Sequence, residues 1–281
     1  MLCKIGDVEI WRLLEINGPF LTLEELFPGN GSEAQEAFEK YAPHQLCQNT
    51  GKLILPVQAY LLKTPAHTIL IDSGVGNDKD NGLADWNKRS SDRFMAALTA
   101  ADVSPDDIDY VLFTHLHSDH VGWNTKLEEG QWVPTFPNAR YLINAAENEY
   151  FREQAGTTYM QSVMPVVEAG KVDLITPDHK LGDSISLIST PGHTPGHVSI
   201  LINSNGSEAI ITGDAIHTSV QCRYPDWHFK FDTDASMAVT SRWKLLEEAS
   251  SRNMRVISFH FALPSIGRVK KHGEAFLWEE E

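Results

Sequence analysis

The sequence predicts an α/β protein whose strands come in two sets, each followed by helices, with a polar site beyond the strand ends. Three observations predict it. Residues 110–113, Tyr-Val-Leu-Phe, read as a buried strand and run directly into Thr114-His115-Leu116-His117-Ser118-Asp119-His120-Val121-Gly122. That segment places three imidazoles and a carboxylate within six positions, 115–120. The same order, apolar run then ligand-type residue, returns three times: residues 185–189 before Thr190-Pro191-Gly192-His193, residues 209–212 before Gly213-Asp214, and residues 256–259 before His260. Neutral imidazole and carboxylate are the donors that zinc and neighbouring first-row metals take.

The elements follow in order. Val8-Glu9-Ile10-Trp11 reads as a first strand. Residues 57–64 and 68–71 form a strand pair around Pro65-Ala66-His67. Phe94 and Leu98 stand at helical spacing within 91–101. Residues 140–144 read as a short strand and 145–152 as the start of a helix. Residues 197–203 and 208–212 flank Ser204-Asn205-Gly206-Ser207, a hairpin turn signal. Residues 233–252 read as a helix, with Asp234 near its start and Met237, Trp243, Leu245 and Leu246 among its apolar positions. Residues 17–50 are less regular; they include Leu26-Phe27-Pro28-Gly29-Asn30-Gly31 and a helix over 33–41. No repeat or long linker interrupts the chain, so one domain over residues 1–281 is expected.

Composition narrows the function classes. The 281 residues can bury a large core, and 42% apolar with 22% charged residues is ordinary globular composition. The formal net charge of −15 repels phosphate backbones, which argues against nucleic acid as a partner. No window approaches the ~18 consecutive apolar residues of a membrane helix, so no membrane partner is expected. Cys3, Cys47 and Cys222 are too few and too scattered for a disulfide framework. With no apolar leader at the start, a cytoplasmic location is the expectation.

With these residues on the page, the chain resembles the metallo-β-lactamase superfamily. The resemblance rests on a strand ending Asp72-Ser73-Gly74, on His115-x-His117-x-Asp119-His120, and on His193, Asp214 and His260 in the family's order. It implies a four-layer αββα sandwich, two mixed sheets packed face to face with helices outside. It also implies two divalent metal ions per chain, zinc being the expected metal. His115, His117 and His193 would bind the first, Asp119, His120 and His260 the second, and Asp214 both. The implied chemistry is attack of a metal-bridging hydroxide on a lactone or carboxylic ester, with Asp119 shuttling the proton. Asp72, at a strand end, is expected to orient a ligand histidine. Gly74, Gly122, Gly192 and Gly213 are expected to relieve backbone crowding beside the ligands.

Within the superfamily, Gly213-Asp214-Ala215-Ile216-His217 with Val220-Gln221, Pro225 and Trp227 resembles the methyl parathion hydrolase branch, as does His260-Phe261-x-x-Pro264-x-x-Gly267. Homoserine-lactone lactonases carry Tyr where His217 stands, so His217 is the candidate substrate contact and catalytic residue beside Asp119. Ser265 and Arg268 depart from that branch, where Gly and His are usual, and leave the substrate open between lactone, ester and a side activity on phosphotriesters. Trp123, Trp227 and Phe229 are candidates for an apolar substrate pocket. Segment 17–50 resembles an extension that covers the site or serves a homodimer in relatives; surface decoration is the plain alternative. A glyoxalase-II-like thioesterase and a mononuclear iron persulfide dioxygenase remain alternatives, as does a binding scaffold without activity. His44, His67, His179, His228 and His272 are read as ordinary surface or core histidines, and His197 as a structural hydrogen-bonding residue.

Overall fold

Strands form where β-branched and aromatic residues cluster, and the computed structural model describes all of residues 1–281. One seven-stranded sheet has the order β1-β2-β3-β4-β5-β8-β9. Its strands are β1 (Cys3–Ile5), β2 (Val8–Pro19), β3 (Ile54–Lys63), β4 (Thr68–Ile71), β5 (Tyr110–Leu112), β8 (Arg140–Asn144) and β9 (Val172–Ile175). The hairpin β6 (Thr125–Glu128) and β7 (Gln131–Pro134) stands apart from it. A second seven-stranded sheet runs in sequence order: β10 (Lys180–Leu181), β11 (Ile185–Ser189), β12 (Val198–Ser204), β13 (Ser207–Ile211), β14 (Arg255–Ile257), β15 (Ile266–His272) and β16 (Ala275–Glu280). Both sheets are mixed. β4, β5, β8 and β9 pair parallel in the first and β13 with β14 in the second, while β3/β4, β11/β12 and β12/β13 are antiparallel.

The helices are α1 (Leu23–Leu26), α2 (Gly31–Tyr41), α3 (Arg93–Ala100), α4 (Ser118–Val121), α5 (Ala145–Gln154), α6 (Met164–Glu168), α7 (Val220–Arg223) and α8 (Ala235–Ser251). No helix is long and apolar enough to cross a membrane. Expected local signals hold. Asn205 and Gly206, both at positive φ, turn β12 into β13, and the Asp234 side chain caps α8 by accepting from Met237 N at 2.9 Å.

Contacts divide the chain into two compact units, Met1–Glu15 with Val57–His179, and Ile16–Pro56 with Lys180–Glu281. Each has its own core. In the first, Leu61, Leu70 and Val111 of the sheet pack with Phe94 and Leu98 of α3 and with Phe136, Tyr141 and Val163. In the second, Ile210 and Val256 pack with Leu245, Leu246 and Ala249 of α8 and with Phe261 and Phe276. The 17–50 segment is more regular than its sequence suggests. It contains α1, capped by a Thr22–Glu25 capping box, and α2, and it lies mostly within the second unit. There Phe27 meets Phe38, Trp227 and Phe229 at ring distances of 5.6–6.0 Å, and Lys230 N donates to Leu26 O at 2.9 Å. The segment is thus a packed part of its unit.

Sheet polarity sets where the ligand-type residues emerge. β4 and β5 are parallel neighbours, so Asp72 and the 114–120 loop leave the same end of the first sheet. β13 and β14 are parallel neighbours in the second, so Asp214 and His260 follow the same end there. Carboxyl ends of adjacent parallel strands are where open α/β sheets present their loops to ligands.

Candidate metal centre

In the first unit, Asp72 sits at the turn after β4 with φ of +55° and its side chain fully buried. Its carboxylate accepts from Thr114 N at 2.8 Å and Thr114 Oγ1 at 2.6 Å, and lies 2.7 Å from His120 Nδ1. The imidazole of His120 is thereby oriented with Nε2 pointing away from Asp72. His115 is held the same way, with Nδ1 3.0 Å from Thr114 Oγ1. Its Nε2 stands 3.1 Å from His117 Nδ1, close to the ~3.3 Å separation of two nitrogens sharing a tetrahedral zinc. His117 precedes α4, and Asp119 lies in that helix's first turn with 8% exposure. Ligand atoms of Asp72, His115 and His120 lie within 4.8 Å of one another.

The second unit repeats the plan. Asp214 is 4% exposed, and its carboxylate lies 3.3 Å from His193 Nε2, 3.2 Å from His260 Nε2 and 3.2 Å from His217 Nε2. His193 Nδ1 is turned back onto Asp232 Oδ1 at 3.0 Å and His260 Nδ1 onto Pro56 O at 2.8 Å, so both Nε2 atoms face the Asp214 carboxylate. Burial opposes ionisation of Asp232, but the hydrogen bond from His193 and the neighbouring Arg242 cation outweigh it and hold the carboxyl at about 2. His193, Asp214 and His217 offer donor atoms within 4.8 Å of one another. A cation fits this donor chemistry: the buried Asp214 carboxylate faces His193 and His260, whose other nitrogen is occupied, which fixes their tautomer and direction.

His217, the candidate substrate contact, lies buried beside Asp214. It is 1% exposed, its ring lies flat on Phe229 at 3.8 Å, and its Nδ1 has no hydrogen-bond partner. Burial pushes its pKa down to about 4, so the imidazole is neutral. Behind it, Phe229 and Trp227 form an aromatic wall with Phe27. Trp123 is elsewhere. It stacks on Phe94 at 5.5 Å in the core of the first unit and donates its indole N–H to Glu15 at 3.0 Å, which corrects its assignment to a substrate pocket. The core needed a large flat ring beside α3, and Glu15 supplies the acceptor a buried indole requires. His197 is structural, as expected: Nδ1 lies 2.8 Å from Thr190 Oγ1, and Nε2 accepts from Asp214 N at 2.9 Å.

Sequence reasoning missed Asp232, Glu15 and the Pro56 carbonyl. Glu15 accepts from Val75 N at 2.7 Å and Gly76 N at 3.2 Å, so β2 holds the loop that follows Asp72. The crowding expected at the glycines is present at Gly74, Gly122 and Gly192. A Cβ on Gly122 would stand 1.8 Å from Val75 O, and one on Gly192, at φ of +133°, 2.1 Å from the backbone nitrogen of Ala238. Gly192→Ala is therefore expected to destabilise the metal-free protein by about 2–5 kcal/mol, read from its urea midpoint. An unchanged midpoint would mean the loop can retreat from α8.

The Metallo-beta-lactamase superfamily matches residues 54–255. An N-acyl homoserine lactonase of Bacillus thuringiensis is 28% identical over 225 residues, covering 74% of this chain and 82% of that protein. Among solved structures, AidC, a dizinc quorum-quenching lactonase in complex with a product, superposes with a TM-score of 0.82 at 23% identity over 99% of this chain and 96% of its own. The hydrolase AbOPH of the beta lactamase superfamily gives 0.83 at 23% identity, with the same coverage. These structural likenesses establish the fold. The two mixed sheets, the ligand-type residues at their strand ends and a family match that spans most of the chain agree: the protein belongs to the metallo-beta-lactamase superfamily.

Proposed function

We propose that this chain is a metal-dependent hydrolase that opens lactones, N-acyl homoserine lactones first among them, or cleaves related carboxylic esters. The observation that carries the reading is the directed donor set. His120, His193 and His260 each have Nδ1 tied to an oxygen, of Asp72, Asp232 and Pro56 respectively, which turns Nε2 toward the carboxylate of Asp119 in the first and of Asp214 in the other two. The relatives' names supply the substrate class. In this reading His115, His117 and His193 hold one divalent ion, Asp119, His120 and His260 the other, and Asp214 is shared; zinc is the metal we expect.

When bound, such ions supply Lewis acidity toward a carbonyl oxygen and ionise water near neutral pH. The chain supplies the rest. Asp119 takes the proton of the attacking water and returns it to the leaving alkoxide. Asp72 and Asp232 keep the ligand imidazoles in one tautomer. His217, neutral and with its Nε2–H on the side of Asp214, donates a hydrogen bond to the substrate, the part Tyr plays in the lactonases. Phe229, Trp227 and Phe27 keep that donor dry, which strengthens it. No covalent intermediate on a side chain is needed.

The test is a hydrolysis screen of metal-loaded protein against homoserine lactones, aryl esters, thioesters and phosphotriesters, alongside metal analysis. Two zinc-like ions per chain and lactone turnover above the other classes are expected. Turnover confined to thioesters, or one iron per chain, would overturn the reading. His217→Ala should retain both metals and lose about 10²-fold in kcat/KM, as for a lost preorganised donor, while His217→Tyr should recover lactone turnover preferentially. Parent kinetics in both variants would reduce His217 to a structural role.

A further inference from the structure

Helix α8 carries a guanidinium with no access to solvent. Arg242 is 0% exposed, and a buried cation is tolerated only where its donors are matched by oxygens. Here they are. Nε donates to Ala215 O at 2.9 Å, Nη1 donates to Pro225 O and Trp227 O, each at 2.8 Å, and Nη2 lies 3.5 Å from Asp232 Oδ2. Three of these four acceptors, Ala215, Trp227 and Asp232, lead to the ligand set of the second unit. Ala215 follows Asp214 directly. The Trp227 carbonyl also accepts from Gln221 Nε2 at 2.9 Å, and Gln221 Oε1 accepts from His217 N at 2.9 Å. Asp232 holds His193 through its other oxygen.

The residue before it adds a second tie. Ser241 Oγ donates to Pro191 O at 2.6 Å, in the loop that carries His193. That loop lies against the start of α8: Asp234 N donates to Gly192 O at 2.9 Å and Thr233 N to His193 O at 3.0 Å. One helix therefore touches both loops that present the second unit's imidazoles and carboxylate, and Arg242 is its only cation among those ties.

We propose that Arg242 is the positioning residue for this ligand set, holding Asp232 against His193. The proposal rests on the metal-binding part of the function proposed above, and its substrate plays no part. A purely structural Arg242 would add stability to the fold everywhere and leave the metal affinity of folded protein unchanged. A positioning Arg242 acts on metal affinity through Asp232.

The experiment measures zinc affinity by chelator competition, and the absorption spectrum of the cobalt-loaded protein, for the parent, Arg242→Met, Arg242→Lys, Asp232→Asn and the Arg242→Met/Asp232→Asn double variant. Folding is checked by circular dichroism of the metal-free proteins. Loss of an outer partner of a ligand histidine lowers metal affinity about 10–100-fold. Arg242→Met and Asp232→Asn should each show that loss with altered cobalt bands. Arg242→Lys should lose less, since it keeps a cation near Asp232 but cannot span three carbonyls. The double variant should lose no more than the weaker-binding single, because both act on His193 through one contact. Parent affinity in folded Arg242→Met, or additive losses in the double variant, overturns the proposal. Should Arg242→Met not fold, Asp232→Asn and Arg242→Lys decide it: parent affinity and parent cobalt bands in both would overturn it. If the parent binds two ions yet opens no lactone, the substrate proposal fails while this one stands or falls on the affinities alone.

Discussion

Replacing Asp214 by Ala is expected to remove most bound metal and to lower lactone turnover by about 10³-fold, the equivalent of roughly 4 kcal/mol of transition-state stabilisation. The carboxylate lies within 3.3 Å of the Nε2 atoms of His193, His217 and His260. It is the one anionic ligand we assign to the second unit. Without it, three buried imidazoles face one another around a void, and a divalent ion would keep neutral donors only. The backbone should survive, because the Asp214 amide rather than its side chain donates to His197. Metal content by plasma emission and circular dichroism on the same sample separate loss of metal from loss of fold. Two ions per chain and parent turnover in the folded variant would show that Asp214 is not the shared ligand.

Asp119→Asn carries the second large effect. The side chain keeps its shape and an oxygen donor but loses its charge and basicity. A fall in kcat of about 10²–10⁴-fold is expected at matched metal occupancy, the usual share of general acid–base catalysis. Occupancy must be measured alongside, since Asp119 is also assigned as a ligand. Its location in the first turn of α4, adjacent to His120, makes some loss of affinity expected too. Parent kcat in a metal-replete variant would move the proton-transfer role elsewhere.

Much of this was legible in the chain itself because it depends on local pattern. Apolar runs followed by His or Asp located β5, β11, β13 and β14 within a few residues. Asn205-Gly206 and Asp234 marked a turn and a cap through backbone conformations that few residues favour. The resemblance in order and spacing named the family that residues 54–255 match. The 17–50 segment was less legible: the capping box of α1 lies in a short polar stretch, and what its aromatic residues meet is a long-range matter.

By itself, then, the sequence determined which residue types end which strands, and so the family and its candidate ligands. Tertiary structure decided how those ligands are aimed. Asp232 meets His193 across 39 residues, Asp72 meets His120 across 48, and the Pro56 carbonyl meets His260 across 204. Such partners need only an oxygen at hydrogen-bond distance, and a carbonyl serves as well as a carboxylate, so no composition or spacing betrays them. The same holds for the aromatic residues. Trp123 and Phe229 both look like pocket residues in sequence, yet one fills a core beside Phe94 and the other backs His217. Packing decides this, because a large apolar ring is stabilised equally by either dry surface, and only the folded chain determines which surface it meets.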